Sequence, residues 1–245
     1  MLKLMEKKPV LHALLWILIY VALVNLGDAM ADMAQSAHLP TAVLLLALSF
    51  VLGVYLKKSR FTDTMGLRGV TRQDSTQALF YAPLVVLAFI QFAAGLDNLL
   101  SAAEIATICL LMAGTGFVEE LLFRGLLFEA IRGKSGLLRA ILISGVTFGL
   151  GHIVNLLRGY DAAQMAGQIV VAIAVGIVLA LLAAQTKNLL PGILFHIVFN
   201  ISGSITKSGS VAQTYILVAI LSIALPYAVY LYRQVMKEGI RADQA

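Results

Sequence analysis

Eight apolar runs, at residues 10–26, 40–56, 76–94, 104–131, 137–155, 164–186, 189–206 and 211–232, succeed one another along the chain with short polar connections between them. About 20 apolar residues cross the hydrocarbon core of a bilayer as a helix, and in lipid only helices and closed barrels satisfy every backbone polar group. The pattern therefore predicts an all-α, polytopic transmembrane helical bundle of about eight spans. A soluble fold could not hide this much apolar surface: of 245 residues, 60% are hydrophobic and 13% charged, with a mean hydropathy of +0.91. Nothing marks a separate soluble region, so residues 1–245 read as one membrane domain.

The net charge of +5 points to nucleic acid only where Lys and Arg form a patch or stripe on a solvated surface. Here they sit in clusters between apolar runs, where they report orientation in the membrane, and no nucleic-acid partner is expected. With the N-terminus inside, the cytoplasmic side receives Lys3, Lys7, Lys8, Lys57, Lys58, Arg60, Arg68, Arg72, Arg132, Lys134, Arg139, Lys187, Arg233, Lys237 and Arg241. The opposite side receives only Arg158 and Lys207, and Arg124 lies within a span. An odd number of spans spoils this asymmetry, so both termini are expected to be cytoplasmic. Residues 57–75 then form the one sizeable cytoplasmic loop, and 27–39 an external loop carrying Asp28 and Asp32.

Lys3, Lys7 and Lys8 ahead of the first run imitate a signal peptide, with Ala29, Met30 and Ala31 imitating its cleavage site. Seven further runs favour a retained first span. The single cysteine, Cys109, excludes a disulfide framework and a Cys-based metal site. Gly145 and Gly149 have the small-xxx-small spacing that lets helices approach closely in a bilayer.

Three charged residues lie about halfway along the fourth run: Glu119, Glu120 and Arg124. Each costs about 2.5–3.5 kcal/mol at mid-bilayer, so together they imply roughly 8–10 kcal/mol unless they pair or face water. Residues four apart share a helical face, so Glu120 and Arg124 can pair along the helix while Glu119 is aimed elsewhere. An intramembrane ionisable group without a local partner reads first as functional. On the fifth run Phe148 and His152 share a face; alone, His152 reads as a packed histidine near a helix end. On the seventh, His196 and Asn200 stand one turn apart, about 12–18 Å from the cytoplasmic end at 1.5 Å per residue. His12 and His38 have no comparable polar neighbour and read as structural or incidental. Jointly, Glu119, His152, His196 and Asn200 supply a base, a partner for it and hydrogen-bond donors at comparable depth on three helices.

These residues resemble the three motifs of the CPBP family of intramembrane endopeptidases, which includes CAAX prenyl proteases and the bacteriocin-processing or self-immunity proteins often labelled Abi. Glu119-Glu120 with Arg124 matches E-E-x-x-x-R, Phe148 with His152 matches F-x-x-x-H, and His196 with Asn200 matches H-x-x-x-N. The motifs occupy residues 119–200, within a core of 104–206. The resemblance implies peptide-bond hydrolysis inside the bilayer by a glutamate-dependent site opening to the cytoplasm. Its substrate would be a membrane-associated or prenylated protein or peptide, and membrane lipid the surrounding partner. The compact chain suits a bacterial plasma-membrane member.

On that expectation Glu119, assisted by His152, takes a proton from the attacking water, Arg124 keeps Glu120 ionised and structural, and His196 and Asn200 donate to the oxyanion. Phe148 belongs to the supporting set. No cofactor is favoured. A zinc variant would use Glu119, His152 and His196 as a two-His, one-carboxylate set with water in the open position, but the chain lacks H-E-x-x-H and Asn is an unusual zinc ligand. From a different class, a transporter or a toxin-binding immunity factor could use the same charges as a polar core, although no inverted repeat with paired broken helices is visible. An inactive scaffold retaining the motifs is a third reading.

Overall fold

The computed structural model describes residues 1–59, 61–69, 71, 78–153, 162–207 and 211–243. Arg60, Arg72 and Arg158, three of the basic residues used for orientation, lie outside them. Each of the eight apolar runs contains helix among its described residues, and the described residues contain no strand, only an isolated bridge between Leu96 and Thr206.

A short helix, Leu2–Lys7, breaks at Lys8 before α1, Pro9–Ala34, which opens on a proline whose missing N–H costs nothing in a first turn. Helix α2 is Leu39–Ser59, followed by a single turn at Thr62–Met65. Helix α3, Ala82–Phe89, is flanked by tighter 3-10 turns at Ala78–Tyr81 and Ile90–Ala94. Helix α4 starts at Ala102 behind a capping box in which Ser101 and Glu104 satisfy one another's backbone N–H. It runs as an α-helix to Glu120, widens into a π-helix over Leu121–Leu127, and resumes as an α-helix over Phe128–Ser135. Gly136, at φ +87°, turns the chain directly into α5, Leu137–Gly151. Helices α6, Ala162–Thr186, α7, Leu190–Ser204, and α8, Val211–Asp243, complete the bundle.

Five of these helices are long and apolar enough to cross a membrane: α1, α2, the α4 rod over Ala102–Ser135, α6 and α8. Helices α5 and α7, of 15 residues each, extend about 22 Å at 1.5 Å per residue, short of a hydrocarbon core of about 30 Å. The expected external loop at 27–39 is mostly helix, because α1 continues to Ala34. Asp28 is on its last turns, where it accepts a hydrogen bond from Thr41 Oγ1 at 2.7 Å. A Cβ at Gly27 would stand 2.6 Å from Thr41 Cα, so glycine lets the two helix ends touch.

Apolar side chains face outward as well as into the core. Leu18, Phe50, Val85, Phe89, Leu194 and Val229 face outward, while Glu120, Arg124, Ser144 and His196 are buried at the centre. Apolar residues spread over all sides of a bundle suit lipid and would aggregate in water. The small-residue spacing on α5 works as expected: Cβ atoms at Gly145 and Gly149 would collide with Ile177 and Ile173 of α6, so these glycines set how closely α5 and α6 pack.

Candidate active site

Four helices meet around the charges of α4. Glu119 and Glu120 end its first α-helical stretch and Arg124 lies within the π segment, all three buried. Such widened turns are energetically poor and occur mostly at functional sites. Here a neighbouring helix helps to hold one, since Ser144 Oγ of α5 donates to the Phe123 carbonyl at 2.8 Å.

The expected pair forms: Arg124 Nη1 donates to Glu120 Oε1 at 2.7 Å, with side-chain exposures of 0% and 1%. The guanidinium carbon stands 4.2 Å above the Phe148 ring, a cation–π contact that compensates part of its lost hydration. Phe148 also meets both imidazoles edge to face, His152 at 5.6 Å and His196 at 5.4 Å between ring centroids. The phenylalanine one turn before His152 is therefore the apolar hub on which two histidines and an arginine are set.

His196 reaches the carboxylates from α7. Its Nδ1 is 2.8 Å from Glu120 Oε1 and its Nε2 is 3.4 Å from Glu119 Oε2. An ionised Glu120 has only lone pairs to offer, so Nδ1 carries a hydrogen and donates, and Nε2 can donate only when the ring holds both protons. Close approach of α7 to α4 makes this possible: a Cβ at Gly116 would lie 2.8 Å from Ile197 Cγ1 and 3.1 Å from its backbone nitrogen. Further along α7, Gln91 Nε2 of the turn after α3 donates to the Phe199 carbonyl at 2.6 Å and to Ser202 Oγ at 2.9 Å, fixing that helix from outside.

Not every expected residue is drawn into the cluster equally. His152 caps the end of α5 and is held by its ring contact with Phe148, whereas the imidazole nearest Glu119 is His196. Asn200, one turn beyond His196, is half-buried and makes no hydrogen bond among the described residues. His12 and His38 are engaged elsewhere, His12 with Tyr55 and Trp16, His38 with Asp28. One residue was not anticipated. Tyr20 of α1 donates from its hydroxyl to Glu119 Oε1 at 2.6 Å. No motif or spacing marks it, for it is one tyrosine in an apolar helix and its partner is 99 positions away.

For the zinc variant, Glu119 Oε2 and His196 Nε2 are close enough to share an ion, but among the described residues no three His, Cys, Asp or Glu side chains are grouped to hold one. Among the described residues that pair is one ligand short of the three protein ligands of a catalytic zinc site.

The family model for the Rce1-like, type II CAAX prenyl endopeptidases matches residues 101–202. That segment holds all three motifs and is consistent with the CPBP resemblance. The matched segment, less than half of the chain, spans α4 to α7, with α1 to α3 and α8 outside it. No curated protein and no solved structure matches the chain.

Proposed function

We propose that the protein is an integral membrane endopeptidase that hydrolyses a peptide bond of a membrane-associated, prenylated protein or peptide. The observation that carries this reading is the buried cluster of Glu119, Glu120, Arg124 and His196 inside the segment that matches the Rce1-like family.

Glu119 accepts a proton from water, assisted by His152, and the hydroxide attacks the scissile carbonyl. Glu120, neutralised by Arg124, holds His196 through Nδ1 and so orients Nε2 towards the reacting centre. Asn200, and His196 when its ring holds both protons, donate to the oxyanion, a role worth about 3–4 kcal/mol per donor. Asn200 makes no hydrogen bond among the described residues, which leaves its amide hydrogens for the oxyanion. Low dielectric around the cluster strengthens each of these interactions relative to water.

The eight helices act as one membrane domain crossing eight times, with both termini and the mouth of the site on the cytoplasmic side. Basic residues support this orientation. They gather before α1, at the ends of α2 and α4, after α6 and towards the end of α8, ends that fall on one side when successive helices alternate in direction. A bacterial plasma membrane fits the compact architecture.

The test is turnover by purified protein in proteoliposomes, using an internally quenched peptide with a farnesylated cysteine near its C-terminus and the same peptide without the lipid. Cleavage of the farnesylated peptide, abolished in Glu119→Gln and resistant to chelators on metal-free protein, is expected. Unimpaired cleavage by Glu119→Gln refutes the glutamate mechanism. Chelator inactivation reversed by zinc refutes the metal-free one. A folded wild type that cleaves neither peptide, while binding a toxin or moving a solute, would replace the protease reading with the non-enzymatic one.

A further inference from the structure

The chemistry above leaves open which oxygen of Glu119 takes the proton and what aims the carboxylate. Within α4 the arginine serves Glu120, so Glu119 depends on other helices. Its two oxygens are treated differently. Oε1 receives the Tyr20 hydroxyl at 2.6 Å, in the range of charge-assisted O–H···O bonds. Oε2 faces His196 Nε2 at 3.4 Å, too long for a strong direct bond. Two atoms at that separation can both reach one water at about 2.8 Å.

Tyr20 is itself firmly set. His12, Trp16 and Tyr20 are spaced four apart and share one face of α1. The first two are locked to α2: Trp16 Nε1 donates to His12 Nε2 at 3.1 Å, and Tyr55 Oη lies 2.8 Å from the same nitrogen. At the other end, Gly27 seats α1 against Thr41. Anchored on both sides of Tyr20, α1 can neither rotate nor slide without breaking the bond to Glu119, and it packs directly on the π segment that follows the carboxylates. Tyr20 lies outside residues 101–202, so the family match assigns it nothing.

We infer that Tyr20 is a positioning residue of the active site: its hydroxyl occupies Oε1 of Glu119 and thereby assigns the proton transfer to Oε2, the oxygen beside His196. The inference rests on the reading of Glu119 as the base. In the first step a water O–H bond breaks, its proton goes to Oε2, the freed oxygen pair forms the bond to the scissile carbon, and the carbonyl π pair moves onto its oxygen. In the second, that pair returns, the C–N bond breaks, and the proton passes from Oε2 to the leaving nitrogen. Tyr20 keeps its own proton throughout and donates most strongly to the ionised carboxylate.

The experiment compares Tyr20→Phe, which removes only the hydroxyl, with a fluorinated tyrosine placed at position 20, which keeps the shape and donates more strongly. Turnover of the farnesylated peptide is followed against pH. Loss of a donor to the ionised form moves the acidic limb of kcat to higher pH in Tyr20→Phe, and the stronger donor moves it to lower pH. Tyr20→Phe should also lower kcat about 10-fold, within the range of general-base effects, with KM changed less than about twofold. An acidic limb that stays in place in both proteins overturns the inference, whatever happens to kcat. Should Tyr20→Phe not fold, the fluorinated protein decides alone. Glu119→Gln separates this from the parent reading: if it is inactive while the limbs stay put, only the role of Tyr20 falls, and if it is fully active the base assignment itself has failed.

Discussion

Replacing Arg124 by methionine tests whether the charges at the centre of the bundle are held by one another. The Arg124 Nη1 to Glu120 Oε1 distance is 2.7 Å with both side chains out of solvent. At an effective dielectric constant of about 20, unit charges about 4 Å apart attract by roughly 4 kcal/mol. A desolvated cation–π contact such as that with Phe148 contributes about 2 kcal/mol more. Methionine recovers part of the loss by filling the volume against Phe148, but it leaves Glu120 as a buried carboxylate with His196 as its remaining partner. Removing one member of a buried pair typically costs about 3–5 kcal/mol, and that is the destabilisation expected for Arg124→Met. Removing both charges is a different matter: Glu120→Gln with Arg124→Met should return to within about 2 kcal/mol of wild type, because replacement of a whole buried pair is often near neutral. The single tryptophan gives the assay. Trp16 is buried between His12 and Tyr55 and reports unfolding by SDS in mixed micelles. If Arg124→Met lies within about 1 kcal/mol of wild type, or the two substitutions simply add, the pair does not carry the weight assigned to it.

Two other substitutions separate geometry from chemistry. In Gly116→Ala the added methyl meets Ile197 at 2.8 Å, so α7 must back away from α4 and take His196 with it; kcat should fall about 10- to 100-fold for a sub-ångström displacement, with at most about 1–3 kcal/mol lost in the micelle assay. Asn200→Ala breaks no hydrogen bond among the described residues, so its unfolding curve should match wild type while kcat drops about 10²- to 10³-fold as for other oxyanion donors; turnover within threefold of wild type would remove Asn200 from that role.

Much of this arrangement is visible in the sequence because lipid makes its demands uniform. An apolar run of sufficient length has no alternative to helix, and each of the eight runs contains helix among its described residues. The Glu120–Arg124 pair follows from helical spacing, and Gly145 and Gly149 from the geometry of close packing. The capping box of Ser101 and Glu104 that opens α4 went unread, since the apolar run alone sets the start at 104. What does not follow from local pattern is contact between distant helices. The tyrosine of α1 at Glu119 and the choice of His196 over His152 as its nearest imidazole depend on how helices are rotated about their axes, and in a bundle whose outer faces are as apolar as its core no hydrophobic stripe announces that rotation. The π segment is hidden for a related reason. Leu121–Leu127 has the composition of any membrane helix, and the widened turn is held from outside by Ser144. At α5 the α-helix stops at Gly151, which leaves His152 at its end.

The central claim is that Glu119 performs peptide-bond hydrolysis in the membrane. It is met most directly by expressing wild type and Glu119→Ala at matched levels in the native host and comparing the termini of membrane and released peptides by mass spectrometry. The account predicts a precursor that accumulates in the variant and a product terminus that disappears, with the cut site naming the substrate. Coincident peptide profiles, together with equal rescue of a deletion phenotype by both proteins, would contradict it.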